Sequence, residues 1–513
     1  MTTASLITVA CASVMIASFQ YVVVAMQVDF GFSSDSANAL TFMPLAASLL
    51  VVFIAGSLAD RWRPRPVLMC AICSFIAGAV LVAVAPNIGV VTLGRMLDGV
   101  GGVTMAIVAV SVINAEVTEP RSRAKVFSFY AAVTPAAFIV APPVTALLVE
   151  HVGWRAGMLP AVTLGLLALL ATVRFMPGKR DPYPQAQPRG SSPELVTPFL
   201  AGLALAGVGL GVTSLPVSSA LSATSLLVAA GSLLTLIVLM HRLPSPTLNL
   251  RWCRGLGMPL LLAALVVAAM PNLFFYTNLL LQYRYGAALH VIALLLIITQ
   301  VTAVGGSLLS GPVSARIGPA QAAALGLFIC GALRMTTMFV TTDSPIWVPV
   351  VALAASSAPA AFLIGPITNS LLSRAPRDDS GVGASVNKAT WTLGSVLGGA
   401  LIGALTFGAF QSKLAELLSI DGMPLGQAQI IAEEIRNGAA VAQVAVNIAE
   451  PVARDDLLNQ GMALTSAQVY AYSVMGLISG LITLGAAILM VLYVRRSRSV
   501  RDNDDKDRAR PTR

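Results

Sequence analysis

The chain has 513 residues, of which 56% are hydrophobic and only 11% charged, with a strongly positive mean hydropathy and a net charge of +9. An ordinary soluble domain carries about 25% charged residues. A chain this long and this apolar cannot cover a water-soluble surface, so a soluble globular protein is excluded and much of the surface must meet a bilayer.

Fourteen apolar segments follow one another, each near the ~20 residues that cross a membrane as a helix. They span 4–26, 37–58, 67–86, 89–113, 126–149, 156–175, 196–214, 221–240, 257–281, 289–312, 320–340, 346–372, 383–408 and 467–494. The first has neither a basic flank nor a small-residue cleavage site and reads as a retained helix. Most of the 32 lysines and arginines fall in alternate loops and in the tail "RRSRSVRDNDDKDRARPTR". By the positive-inside rule this predicts an all-α integral membrane fold with 14 transmembrane helices and both termini cytoplasmic, in the plasma (inner) membrane. The basic excess is thus a topology signal and no sign of nucleic-acid binding; the charged tail suits anionic lipid headgroups.

An internal echo divides the chain. "GSLADRWRPRP" follows the second segment and "GPVSARIGPAQ" the tenth, as in parallel repeats related by an axis along the membrane normal. The expected organisation is two six-helix pseudo-repeat bundles, 1–175 and 257–494. Residues 176–256 would be a cytoplasmic linker carrying an inserted helix pair at about 196–214 and 221–240. An external loop would run over about 409–466, and 495–513 would form the basic cytoplasmic tail. The five cysteines are scattered without metal-like pairing and read as packing residues.

"GSLADRWRPR" (56–65) resembles the loop motif between the second and third helices of the major facilitator superfamily, Gly-x-Leu-Ala-Asp-Arg-x-Gly-Arg-Lys. "LGRMLDGVGG" resembles that superfamily's fourth-helix motif. "AFIVAPPVTA" resembles a worn fifth-helix antiporter motif that keeps Pro142 and, beside it, Pro143. The span count, "GWR" at 153–155 and "GVGASVNKATWTLGSVLGGA" are similar to the fourteen-span drug–proton antiporter branch. The resemblance implies a cytoplasmic gate built from Gly56, Asp60, Arg61 and Arg65, and Asp60 is expected to cap the following helix or to pair with an arginine of the neighbouring bundle. It also implies proton handling at the fourth-helix arginine, Arg95. Two departures stand out. Asp98 occupies a position usually held by glutamine, and Ser18 stands where the branch carries a helix-one aspartate.

Of the 23 acidic residues, only Asp98 lies well inside a predicted span. It is about nine residues, or ~14 Å, from the outer end, near the middle of a ~30 Å core, where an unpaired charge costs at least ~2.5–3.5 kcal/mol. Arg95, three residues earlier, shares its helix face. A charge pair does not explain its own presence, since apolar residues would be cheaper there. Two readings stand: a pair that fixes the fourth helix against its neighbours, or a proton-coupling site with Asp98 exchanging the proton and Arg95 tuning it.

Substrate signals are sparser. Arg334 is a second embedded cation, and "MPNLFFYTNLLLQYRYG" brings Phe275, Tyr276, Asn278 and Gln282 together. These are either cavity residues or lipid-facing aromatics with an interfacial belt; in a cavity, two arginines against one acid favour neutral or anionic amphiphiles. Lys388, near a helix end, is expected to snorkel to the interface. No phosphate-binding glycine loop or nucleophile–base constellation is present, so neither ATP, another cofactor nor enzymatic chemistry is implied. The expected partners are a small-molecule substrate, protons and membrane lipids, with the chain acting as a monomer. The two functions in view are a proton-coupled exporter of small amphiphiles, and an uncoupled transporter-like protein acting as a facilitator or envelope scaffold.

Overall fold

A computed structural model describes residues 2–31, 34–176, 195–214, 219–242, 257–269, 272–287, 289–376, 379–420 and 454–508. The described residues contain helices and no strand. The first half holds α1 (Thr2–Phe30), α2 (Ser34–Arg61), α3 (Pro64–Ala83), α4 (Ile88–Glu116), α5 (Pro120–His151) and α6 (Leu159–Phe175). Then come α7 (Val196–Thr213) and α8 (Ser219–Arg242). The second half holds α9 (Gly257–Ala268), α10 (Asn272–Tyr283), α11 (Leu289–Ile317), α12 (Pro319–Met335), α13 (Trp347–Leu372), α14 (Ser380–Ile420) and α15 (Arg454–Arg508).

Local chemistry sets several starts. Pro64, Pro120 and Pro319 open α3, α5 and α12, a position where the missing N–H costs nothing and φ is already helical. Asn87 caps α4 by accepting from the Val90 amide at 3.1 Å, satisfying a donor the helix cannot. Gly318 precedes Pro319 at φ +88°, a left-handed conformation glycine adopts without strain.

Thirteen helices among the described residues are long and apolar enough to span a membrane, and Gly257–Ala268 is a shorter apolar helix. The ninth expected segment, 257–281, is therefore not one helix but two, α9 and α10. Helix enters both ends of the segment 409–466 expected as an external loop. α14 continues to Ile420 and α15 begins at Arg454, and their extensions pack on each other through Phe410, Leu414, Ala463 and Ala467; residues 421–453 lie outside the described set. The basic tail continues α15 as far as Arg508. Cys11 and Cys330 are buried as expected, Cys253 lies outside the described residues, and Cys70 and Cys73 face outward from α3 and pack against nothing inside. Outward leucines such as Leu170, Leu227, Leu234 and Leu309 form the apolar exterior a bilayer requires.

One core joins α1, α3, α4 and α6 around Phe19, Phe75 and Met105. A second joins α9 through α13 with α15 around Leu327 and Tyr472. Between them a third cluster unites Val52, Val103, Ile107 and Phe127 of the first half with Leu372, Val382 and Ala389 of the second. The packing repeats: α2 lies on α14 as α11 lies on α5, and α4 lies on α14 as α13 lies on α5. α7 breaks the symmetry by resting on both α2 and α14. There Gly202 meets the Leu50 carbonyl, and a side chain at Gly209 would touch Leu49 of α2 and Val396 of α14.

Candidate functional site

Arg95 and Asp98 come together on one face of α4. The guanidinium Nη1 donates to Asp98 Oδ2 at 2.5 Å, and the two residues are 3% and 5% exposed. Arg95 Nε points to the Leu40 carbonyl of α2 at 3.4 Å, and its Cζ lies 3.8 Å above the Phe19 ring of α1. Glycines make the enclosure tight: a Cβ at Gly78 of α3 would stand 2.6 Å from the Asp98 amide, and one at Gly99 would stand 2.5 Å from the Pro44 carbonyl. The pair is thus sealed among α1, α2 and α3 inside the first bundle. An ion pair there is held by a hydrogen bond and a cation–π contact, with bulk water excluded.

Ser18 of α1 lies in the same bundle, fully buried, where its hydroxyl accepts from Thr145 Oγ1 of α5 at 2.8 Å. One further polar contact, Ser13 to Thr134 at 3.0 Å, joins the same two helices. Ser18 is therefore a helix–helix contact. α5 runs unbroken through Pro135, Pro142 and Pro143. Pro142 is half-buried and Pro143 exposed, while the neighbouring Ala137 and Ala141 pack on Val14 and Ala17. The worn motif serves close α1–α5 packing here.

Asp60 reaches across the bundles. Its carboxylate accepts from the backbone amides of Gly381 at 2.5 Å and Val382 at 2.9 Å, in the first turn of α14. A negative side chain at a helix N-terminus satisfies amides that lack intrahelical partners and complements the helix dipole. Gly56 permits the approach: a Cβ there would meet Ser385 Oγ and stand 2.5 Å from the Gly381 carbonyl. Ser385 Oγ donates to the Val52 carbonyl at 2.7 Å, and Ser111 meets Ser380 at 2.9 Å. Arg61 and Arg65 border this contact, both half-exposed.

A second cross-bundle contact was not anticipated. Arg123 of α5 donates to Asn369 Oδ1 of α13 at 2.7 Å and to Asn114 Oδ1 of α4 at 2.5 Å. The sequence registers Arg123 as one more loop charge, and its amide partners stand 246 residues ahead and 9 behind. All these cross-bundle bonds gather at the end that carries the α2–α3 and α4–α5 connections.

The remaining candidates do not converge with Arg95 and Asp98. Arg334 lies in the last turn of α12, not mid-helix, where the carbonyl end of the helix favours a cation. It is 4% exposed, its Nε donates to Cys330 Sγ at 3.2 Å, and Gly476 of α15 packs closely on its carbonyl. Tyr276 donates to the Gly403 carbonyl of α14 at 3.4 Å, and Asn278 lies half-buried on α10. Phe275 and Gln282 are residues of α10 whose side chains lie outside the described set.

Comparison with known proteins gives a consistent result. Residues 5–399 match the family model of the Major Facilitator Superfamily. The chain is 25% identical over 362 residues to the methylenomycin A resistance protein of Streptomyces coelicolor, covering 70% of this chain and 75% of that one. It is 24% identical to the drug efflux pump JefA of Mycobacterium tuberculosis, covering 82% and 80%. Among solved structures, the human organic anion transporter MFSD10 aligns with a TM-score of 0.55 at 12% identity over 94% of this chain and 99% of that one. The proton:xylose symporter XylE aligns at 0.54 and 15% identity, over 94% of each.

Proposed function

Because the chain belongs to the Major Facilitator Superfamily, we propose that it is a secondary active exporter of small amphiphilic compounds, such as drugs, lipids or a secreted metabolite, working by alternating access. It is a transporter and not an enzyme, and a multi-pass protein of the plasma membrane. The functions that its relatives are named for, resistance and drug efflux, support the outward direction.

In this reading α9 and α10 form one interrupted crossing, giving 14, with both termini cytoplasmic and the loop of about 409–466 external. Residues 1–175 and 257–494 are the two moving bundles, with 176–256 inserted between them and a basic tail beyond. One chain holds both walls of the cleft, so the monomer is a complete unit. The Asp60 and Arg123 contacts lie at the cytoplasmic end, and the gate there is closed. Arg95 and Asp98 couple export to protons: a guanidinium and a carboxylate at 3% and 5% exposure are a costly way to pack a helix, and that burial carries the proposal.

The uncoupled alternative, a facilitator or scaffold, is favoured by one observation: Ser18, at the position of the branch's helix-one aspartate, is engaged with Thr145. The test is dye flux in proteoliposomes with and without an imposed pH gradient. Gradient-dependent uphill movement is expected. Equal downhill flux in both conditions would leave a facilitator, and no flux in either would leave a scaffold.

A further inference from the structure

The inner face of α14 carries a lysine that the gate and the coupling pair leave unused. Lys388, Trp391, Ser395 and Gly399 recur at helical spacing, and all four are partly accessible. The residues on either side are buried. On one flank Ser385 bonds α2, and Val396 packs with Leu49 of α2. On the other, Gly394 and Gly398 lie against Leu265 and Ala269 at α9. The outward side of the helix is marked by Leu401 and Leu405, both more than half exposed. An accessible strip between two packed flanks, one against each bundle, lines the cleft between the bundles and not the lipid. Gly399, on the same strip, has nothing within 4 Å of where a Cβ would stand, so the cleft is open at that level.

Lys388 sits at the floor of this cleft. It is seven residues, about 10 Å, beyond Gly381, where Asp60 closes the gate, and on the same face of α14. Lys388 thus stands about two turns inside α14, beyond the first turn where a helix-end cation sits. Its charge has no counter-ion among the described residues. Asp60 is engaged by the Gly381 and Val382 amides and Asp98 by Arg95, and α7, α9 and α13 contain no acidic residue. An uncompensated ammonium in a low-dielectric cleft attracts an anion. One turn away Trp391 offers a ring fixed by its Nε1 donating to Asn387 Oδ1 at 3.2 Å.

We propose that the strip of α14 from Lys388 to Gly399 is the substrate site, that Lys388 holds the anionic group of an amphiphile, and that Trp391 packs on its apolar body. This rests on the exporter reading and narrows its substrate class to organic anions.

The test uses the full-length protein in detergent, with a dansyl fatty carboxylate and its methyl ester as probes and energy transfer from tryptophan as the readout. Wild type should bind the carboxylate about tenfold or more tightly than the ester, the range of a hydrogen bond to a charged group. Lys388→Gln should erase that preference, Lys388→Arg should keep it, and Trp391→Phe should reduce transfer from bound probe. Equal affinity of wild type for acid and ester overturns the proposal without any variant being made. So does an undiminished preference in Lys388→Gln. Binding needs no gradient, so the two readings separate: carboxylate held through Lys388 without pH-driven flux sinks coupling alone. Driven flux of neutral dyes, unaffected in Lys388→Gln, accompanied by no acid preference, sinks this inference alone.

Discussion

Replacing Asp60 by asparagine removes the charge from the α2–α14 gate and almost none of its volume. The carboxylate accepts two backbone amides, at 2.5 and 2.9 Å. An asparagine side chain has one acceptor oxygen and turns an NH2 group toward the other amide. At least one hydrogen bond to a charged group is lost, worth about 1.5–3 kcal/mol, together with about 0.3–1 kcal/mol of attraction to the helix N-terminus. Asp60 is half-exposed, so water offsets part of this and about 2 kcal/mol is the working figure, near a thirtyfold shift of the gate equilibrium toward opening. Spin labels on the α2–α3 and α13–α14 connections, read by pulsed dipolar spectroscopy, should show a new long-distance population, and transport should slow. Gly56→Ala should act in the same direction with the charge intact, because its methyl meets Ser385 and the Gly381 carbonyl. Unchanged distances and wild-type flux in Asp60→Asn would show that the contact holds nothing closed.

Asp98→Asn should abolish pH-driven accumulation while downhill exchange survives. It should also lower stability by about 3–5 kcal/mol, because Arg95 stays buried without its counter-charge; adding Arg95→Gln should restore the melting temperature but not coupling, and full coupling in a stable Asp98→Asn would refute the assignment. Arg123→Gln, which shortens the reach to Asn369 and Asn114, should raise labelling of a cysteine placed at Ser370, buried beside Asn369, and unaltered labelling would remove Arg123 from the gate. Reporters fused after residue 185 and at the C-terminus should read cytoplasmic and one inserted near residue 430 external; an external C-terminus would sink the proposed topology.

What the sequence disclosed depended on how far apart the partners lie. Arg95 and Asp98 are three residues apart on one helix face, so spacing alone joins them. Asp60 is legible as a gate acid from its motif, but the amides it caps lie 321 and 322 residues later, and no local pattern reaches them. The Arg123–Asn369 contact was hidden for the same reason, and because neutral amides carry no charge signal. The division of the ninth segment was not legible: the sequence has a proline at 271, but α5 carries three prolines unbroken, so a proline alone does not mark a helix end. Lys388 was read from its distance to a helix end, and α14 starts three residues earlier than the apolar run indicates. That shift, with the face it occupies, is what carries the proposal that Lys388 serves the cleft.

The resting place of α7 makes the two flanks of the molecule unlike. Where α2 meets α14, a third helix lies along the join and touches both, with glycines sliding on the Leu49–Leu50 backbone and side chains. Where α5 meets α11, with Gly311 against Ser128, no counterpart of α7 lies along the join among the described residues. In the alternating access proposed above, a rocking motion that would part both joins equally in a symmetric pair of bundles would have to carry α7 along at the α2–α14 join and not at the α5–α11 join.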